Sequence, residues 1–276
     1  MCALLYRLFI LGLFLLGSLF SFYSCSSENK MEKEIELNKD IAIIAHAGGV
    51  YGPPNSIQSI SHSFAIGTDA VEVDIRITKD SVVILSHDDD IALCSNGSGQ
   101  VKNLAYNDLC TFYLRNVDGS ISSGKYPQLA DVLDLVGKDG FLILEIKDYT
   151  DDLIIQKIAE IIREKDLYSK VAVTSFGFSC LNKINQIDSH IKCHYLLNQD
   201  SDIDALALNP DWDFISTIVV NYNSVTKGII NKVHSIGKKI NIYTLNSFDE
   251  ISSDLYCNVD GIITDYPEMW LSKKKY

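Results

Sequence analysis

The sequence predicts an α/β fold, a closed TIM-type (β/α)8 barrel with a small insertion after the second strand. Short β-rich runs alternate with helix-patterned runs from Lys39 onward. Eight strand runs are separated mostly by helices, and parallel neighbours need such crossovers. The units fill roughly 230 of the 276 residues, close to the ~250 typical of this barrel. An open doubly wound sheet is the competing architecture. No glycine-rich dinucleotide fingerprint follows the first strand, which weakens it.

The elements follow in chain order. The first strand is Ile41–His46, and Ile57–Ile66 is the helix that returns from it. Ala70–Ile77 is the second strand, with β-branched residues alternating with acids. Leu129–Val136 is a helix, then Phe141–Ile146 a strand. Leu153–Lys165 is the clearest helix, because Ile154, Ile155, Ile158, Ile161 and Ile162 form one apolar stripe. Val171–Ser175, Ile191–Leu197, Phe214–Val219, Lys239–Leu245 and Gly261–Thr264 are the remaining strands. Helices Phe178–Ile187, Ile203–Leu208, Val225–Ile236 and Phe248–Leu255 separate them. One interval breaks the rhythm, about residues 79–128. Val82–Ser86 reads as an extra strand, and Asn96-Gly97-Ser98-Gly99 and Asp118-Gly119-Ser120 read as loops. The stretch is expected on the C-terminal face, where barrel loops build sites.

The N-terminus reads as a targeting segment. Arg7 is the only charge before Glu28, an apolar run covers Leu8 to Phe20, and Ser21 to Cys25 follows. That run is short for a spanning helix, which needs roughly 20 residues. Residues 1–24 are therefore expected to be a signal peptide. Ser24-Cys25 resembles a bacterial lipoprotein cleavage site, although Phe22 stands where Leu is usual. Cys25 would carry a lipid anchor, residues 25–38 a polar tether and residues 39–276 the barrel. The protein is then expected to be exported to a bacterial cell envelope and held on a membrane.

The formal charge of −12 becomes −13 without Arg7. An acidic exterior argues against nucleic acid as a partner. Of seven cysteines, Cys94, Cys110, Cys180, Cys193 and Cys257 lie in the barrel. Their number is odd, their spacing is scattered and no C-x-x-C occurs, so they read as small buried residues rather than a zinc cluster.

Charged residues at strand ends carry the chemistry. His46 closes the first strand. In Val71-Glu72-Val73-Asp74-Ile75, alternate residues share a face, which sets Glu72 and Asp74 about 7 Å apart on one side. Two buried carboxylates repel each other, and a divalent cation with oxygen ligands, Mg²⁺ or Ca²⁺, would relieve both repulsion and desolvation. Glu145 and Lys147 repeat the spacing on the third strand. Glu145 could complete a three-carboxylate site, and Lys147 could hold a phosphate oxygen. His87 follows the extra strand. This set suits a phosphodiesterase: a metal offsets phosphate charge, and two histidines move protons to and from the reacting oxygens.

Ordered along the chain, Ala45-His46, Asn55-Ser56, Gly67-Thr68-Asp69-Ala70-Val71-Glu72-Val73-Asp74, Thr78-Lys79-Asp80, His87-Asp88, Tyr126-Pro127-Gln128-Leu129, Leu144-Glu145-Ile146-Lys147, Ser175-Phe176, Tyr243-Thr244-Leu245-Asn246 and Gly261-Ile262-Ile263-Thr264-Asp265-Tyr266-Pro267 resemble the glycerophosphodiester phosphodiesterase family. The resemblance spans Ile41 to Trp270. It implies a TIM barrel that cleaves a small phosphodiester into glycerol phosphate and an alcohol. It implies His46 and His87 as acid and base. Glu72, Asp74 and Glu145 become metal ligands, and Lys147, Asn55 and Tyr243 substrate contacts. Two departures stand out. Ala47 replaces the arginine usual after the first histidine, and Pro53-Pro54-Asn55-Ser56 replaces Pro-Glu-Asn-Thr. A sub-group with His-Ala-Gly-Gly shares both. The competing readings are a lyase that stops at a cyclic phosphate and a non-catalytic surface lipoprotein that binds phosphorylated ligands. His62 and His234 fall on helices and His190 in a turn, which favours surface or packing roles, and His194 lies in the fifth strand, where packing is favoured over a place facing the site.

Overall fold

A computed structural model describes residues 37–136, 140–197 and 212–274. The expected signal peptide, Cys25, most of the tether and the expected helix Ile203–Leu208 lie outside them. Among the described residues, no helix is long and apolar enough to cross a membrane.

Eight parallel strands close into a barrel. They are β1 (Ala42–Ala45), β2 (Ala70–Ile77), β4 (Leu142–Ile146), β5 (Val171–Ser175), β6 (Lys192–Leu196), β7 (Ile215–Asn221), β8 (Lys239–Tyr243) and β9 (Gly261–Thr264). The sheet runs β1-β9-β8-β7-β6-β5-β4-β2, and a β1–β2 pairing shuts the ring. The short β3 (Val83–Leu85) pairs antiparallel with β2. The fold is thus the expected (β/α)8 barrel.

Alternation along each strand sorts its side chains. On β2, Val71, Val73 and Ile75 join the layer between strands and helices, and on β4 Leu142, Leu144 and Ile146 do the same. The intervening residues turn into the barrel. At its N-terminal end they are Ile44, Ala70 and Ile143. Nearer the C-terminal end they are the acids Glu72, Asp74 and Glu145, with Asp74 level with Glu145 in the β2–β4 ladder. Apolar burial outside the ring therefore fixes the register, and a slip of one residue would put the acids into the helix layer.

Helix Asp152–Glu164 buries Ile154, Ile155, Ile158, Ala159 and Ile162, and the Asp151 carboxylate caps it by accepting from the Leu153 amide at 2.8 Å. The expected helix Phe248–Leu255 shrinks to Ser253–Tyr256. Glu250 instead turns its carboxylate onto the amides of Asn246 (2.7 Å) and Ser247 (3.0 Å). Phe248 packs edge-on against Trp270. The final helix, Pro267–Leu271, was not expected. It buries Trp270, whose indole N–H donates to the Leu245 carbonyl at 3.1 Å. Both features brace the loop that carries Asn246.

The stretch between β2 and helix Leu129–Leu133 contains β3, two short helical turns and a small core of its own. Ile84, Ile91, Val101, Leu109, Leu114 and Tyr126 form that core.

Candidate active site

The chain leaves β1 through a tight turn at His46–Gly48. Gly48 has φ +85°, and a Cβ there would meet Ser59 Oγ at 2.6 Å and the Ile60 nitrogen at 2.9 Å. Only glycine fits this approach of the first helix. Ala47 itself has φ 48°. Its amide donates to Glu72 Oε2 at 3.2 Å, and its carbonyl accepts from the Asn55 amide at 2.8 Å.

Asn55 adopts φ 60°, a conformation that Asn tolerates better than most residues. Its side chain is 3% exposed. The amide nitrogen donates to Asp74 Oδ2 and the amide oxygen accepts from the Asp74 backbone, both at 2.8 Å. The side chain expected to meet substrate thus orients a carboxylate, and it also lines the cavity beside His87.

Glu72, Asp74 and Glu145 each offer an oxygen within 4.8 Å of the others. Glu72 is 4% and Asp74 1% exposed. Lys147 reaches Asp74 Oδ1 at 2.9 Å and Glu145 Oε1 at 2.6 Å. Three carboxylates thus face one ammonium group, and Glu72 Oε1 is buried with no hydrogen-bond partner. Burial, then the neighbouring Asp74 charge, pushes Glu72 up to about 8. Burial and Asp74 also raise Glu145. Burial would raise Asp74 as well, but Lys147, His87 and Asn55 outweigh it and hold Asp74 low. Burial would lower Lys147, and the attraction of Asp74 and Glu145 overcomes it, so the ammonium stays charged. An orphaned buried oxygen amid surplus negative charge is what a hard divalent cation relieves. The donor set fits one.

His46 Nδ1 lies 2.6 Å from Asp265 Oδ1, in the turn after β9. Asp265 Oδ2 accepts from the Asn246 side chain at 2.7 Å, and the Asp265 amide donates back to Asn246 Oδ1 at 2.9 Å. Burial alone would lower His46; the Asp265 hydrogen bond and the charges of Glu72, Asp265 and Asp74 bring it up to about 9. This carboxylate–imidazole pair was not assigned from the sequence, although Asp265 follows a barrel strand, as His46 does.

His87 stands at the end of β3, with its side chain 55% exposed and its Nδ1 3.1 Å from Asp88 Oδ1. Its carbonyl accepts from Arg76 Nε at 3.1 Å and Nη2 at 2.9 Å. Arg76 also pairs with Asp148, just beyond Lys147, so one guanidinium ties the His87 turn to the end of β4. A cavity of about 330 Å³ is lined by His46, Asn55, Asp74 and His87 together with the insertion. A small void below it touches Glu72, Glu145, Tyr243 and His194. Tyr243 is half-buried and edge-on to Phe176. His194 faces the barrel interior, 7% exposed and with Nδ1 unpartnered. Burial holds it down at about 4, as a neutral imidazole.

A larger cavity, about 700 Å³, opens at the opposite end of the barrel around Phe141, Lys192, Lys239 and Asp260. Its acids Asp69, Asp213 and Asp260 pair with Lys274, Lys238 and His234. Among the described residues it holds no carboxylate cluster, and in such barrels chemistry sits at the C-terminal face. The upper site is therefore the candidate.

Comparison with known proteins agrees. The chain is 29% identical over 244 residues to a glycerophosphodiester phosphodiesterase of Bacillus altitudinis, with 82% of this chain and 95% of that protein covered. It is 26% identical over 238 residues to one from Caldanaerobacter subterraneus subsp. tengcongensis, covering 82% and 94%. Among solved structures, the glycerophosphodiester phosphodiesterase of Thermotoga maritima superposes with TM-score 0.70 at 21% identity, covering 84% of this chain and 97% of that one. An Oleispira antarctica phosphodiesterase in complex with the product sn-glycerol-3-phosphate superposes with TM-score 0.71 at 17% identity, covering 84% and 96%. The model of the glycerophosphoryl diester phosphodiesterase family matches residues 46–269, and the chain belongs to that family of phosphoric diester hydrolases.

Proposed function

We propose that this protein hydrolyses glycerophosphodiesters to glycerol phosphate and an alcohol, with His46 and His87 as acid and base. The observation that carries the reading is the buried cluster of Glu72, Asp74 and Glu145 around Lys147, set between two histidines that line one cavity. Glu72, Asp74 and Glu145 would hold a divalent cation, Ca²⁺ or Mg²⁺. Such an ion neutralises and polarises a phosphate oxygen. Lys147 adds a point charge beside it. Asn55 keeps Asp74 in position. Asp265 fixes His46 through Nδ1, leaving Nε2 to exchange a proton, as an acid–base histidine requires. His87, more exposed, serves the opposite oxygen. An oxygen from water joins phosphorus and the P–O bond to the alcohol breaks. One proton leaves the attacking water, and one reaches the departing alkoxide.

The names of the relatives and the glycerol phosphate held by the Oleispira antarctica enzyme support this substrate class. The His-Ala-Gly-Gly sequence at His46–Gly49 fits the sub-group reading. Product analysis tests the reaction. Equal amounts of open-chain glycerol phosphate and alcohol are expected. Accumulation of cyclic glycerol phosphate as the end product would assign a lyase instead.

The location is part of the same reading: an envelope protein anchored through Cys25. Cells grown with labelled palmitate should label the wild type and not Cys25→Ser. An unlabelled wild type would remove the anchor from the proposal.

A further inference from the structure

The cavity beside His87 has a wall with few polar groups to offer. Arg115 donates to the carbonyls of Gly119 (2.8 Å) and Ser95 (2.9 Å). The Tyr126 hydroxyl contacts Cys94 Sγ at 3.1 Å. Ser86 Oγ donates to the Asp88 carbonyl at 2.9 Å, and Asn116 Nδ2 to Ser120 Oγ at 3.0 Å. Arg115, Tyr126, Ser86 and Asn116 each hold a partner within the protein, and the Asp88 carboxylate meets the neighbouring imidazole of His87 at 3.1 Å. Hydrocarbon remains, from Leu85, Leu93 and Leu114, with Ala47 and Pro54 on the near side. A polyol or a strongly hydrated head group set against this leucine face would lose its water without gaining partners there.

Two further observations point the same way. Leu93, at the rim, is 65% exposed, and Val117, two residues from Arg115, is 63% exposed; they are the most exposed large hydrophobic side chains among the described residues. The cavity is also continuous with the reacting groups, since His46, Asp74 and His87 line it. At about 330 Å³ it falls in the range of small-molecule pockets, about 300–1,000 Å³.

We propose that this cavity receives a hydrocarbon substituent of the substrate, so that the preferred substrate is an amphiphilic phosphodiester bearing one aliphatic chain. The inference rests on the diesterase function proposed above and narrows its substrate class. The chain has two possible attachments, the leaving alcohol or the glycerol, and the chemistry of recognition is shared.

The test is kcat/KM over two homologous series on the full-length protein with divalent metal. One series is sn-glycerol 3-phosphate n-alkyl esters from ethyl to octyl. The other is 1-acyl-glycerophosphocholines of short chain, kept below micelle formation. Glycerophosphocholine is the reference. Each methylene that enters the cavity should raise kcat/KM about three- to fourfold, the usual gain for a buried CH₂, and four of them roughly 10²-fold, with a plateau once the cavity is full. The series that shows the slope identifies where the chain is attached. Leu93→Asp, at an exposed position where folding is not at stake, should reduce the slope. A slope unchanged in Leu93→Asp would remove the insertion as the receptor of the chain. Flat or falling kcat/KM in both series, with glycerophosphocholine cleaved, would overturn the inference and leave the diesterase function standing. No cleavage of any of these diesters would overturn both.

Discussion

His46→Ala and His87→Ala are each expected to lower kcat by roughly 10²–10⁴, the scale of general acid–base catalysis, while the protein stays folded. Neither side chain is part of the hydrophobic core: His46 is 34% and His87 55% exposed, so truncation opens no large apolar void. Asp265 keeps its Asn246 partner when His46 is lost. Asp265→Asn should fall short of His46→Ala, because the imidazole remains while its orientation and tautomer are no longer set by a carboxylate. Steady-state kinetics with thermal melts on the same preparations check this. Wild-type kcat in both alanine variants would mean that the reacting groups lie elsewhere.

Removing one carboxylate from the cluster should cost as much. A metal contributes several kcal/mol of charge stabilisation to the transition state, and each ~1.4 kcal/mol is tenfold in rate. Asp74→Asn is therefore expected to lose roughly 10²–10³ in turnover. Its divalent-ion affinity should also fall by at least 10–100-fold, the loss seen when a mere outer-shell partner is removed. The pH dependence follows from Glu72, held up at about 8 in the metal-free protein by burial and Asp74. Its neutral form is favoured by the fold, so this contribution to stability is complete below the ordinary glutamate range and fades as pH rises through about 8. A bound cation requires the charged form. The rise in melting temperature on adding Ca²⁺ or Mg²⁺ should therefore be larger at pH 8 than at pH 6, and Glu72→Gln should reduce that difference, leaving the part due to Glu145. Wild-type metal affinity in Asp74→Asn would remove the cluster as the metal site.

Much of this site was legible from strand alternation. Val71-Glu72-Val73-Asp74 and Leu144-Glu145-Ile146-Lys147 announce acids on one face and aliphatics on the other, and the barrel places them as the period of two requires. His46 and His87 were visible as residues at strand ends. What escaped the sequence depends on long-range closure. Asp265 meets His46 across 219 positions, through the β1–β9 pairing that only the closed ring creates. Asn55 has a side chain equally suited to substrate or carboxylate, and only the packed turn after β1 shows that it serves Asp74. Phe248–Leu255 carries helical spacing, but Glu250 gains more by satisfying two loop amides than by continuing a helix. His194 shares a strand face with Leu196 while Cys193 and Tyr195 take the other, and with apolar residues on both faces of β6 alternation alone does not say which face is the lumen.

The most direct measurement is the ³¹P spectrum of glycerophosphocholine incubated with metal-free protein, then with Ca²⁺ or Mg²⁺, then with excess chelator. A phosphomonoester signal should appear only with the metal, stop on chelation and resume when the metal is restored. Full turnover in excess chelator, with no metal found by elemental analysis, would contradict a cation-dependent diesterase built on Glu72, Asp74 and Glu145.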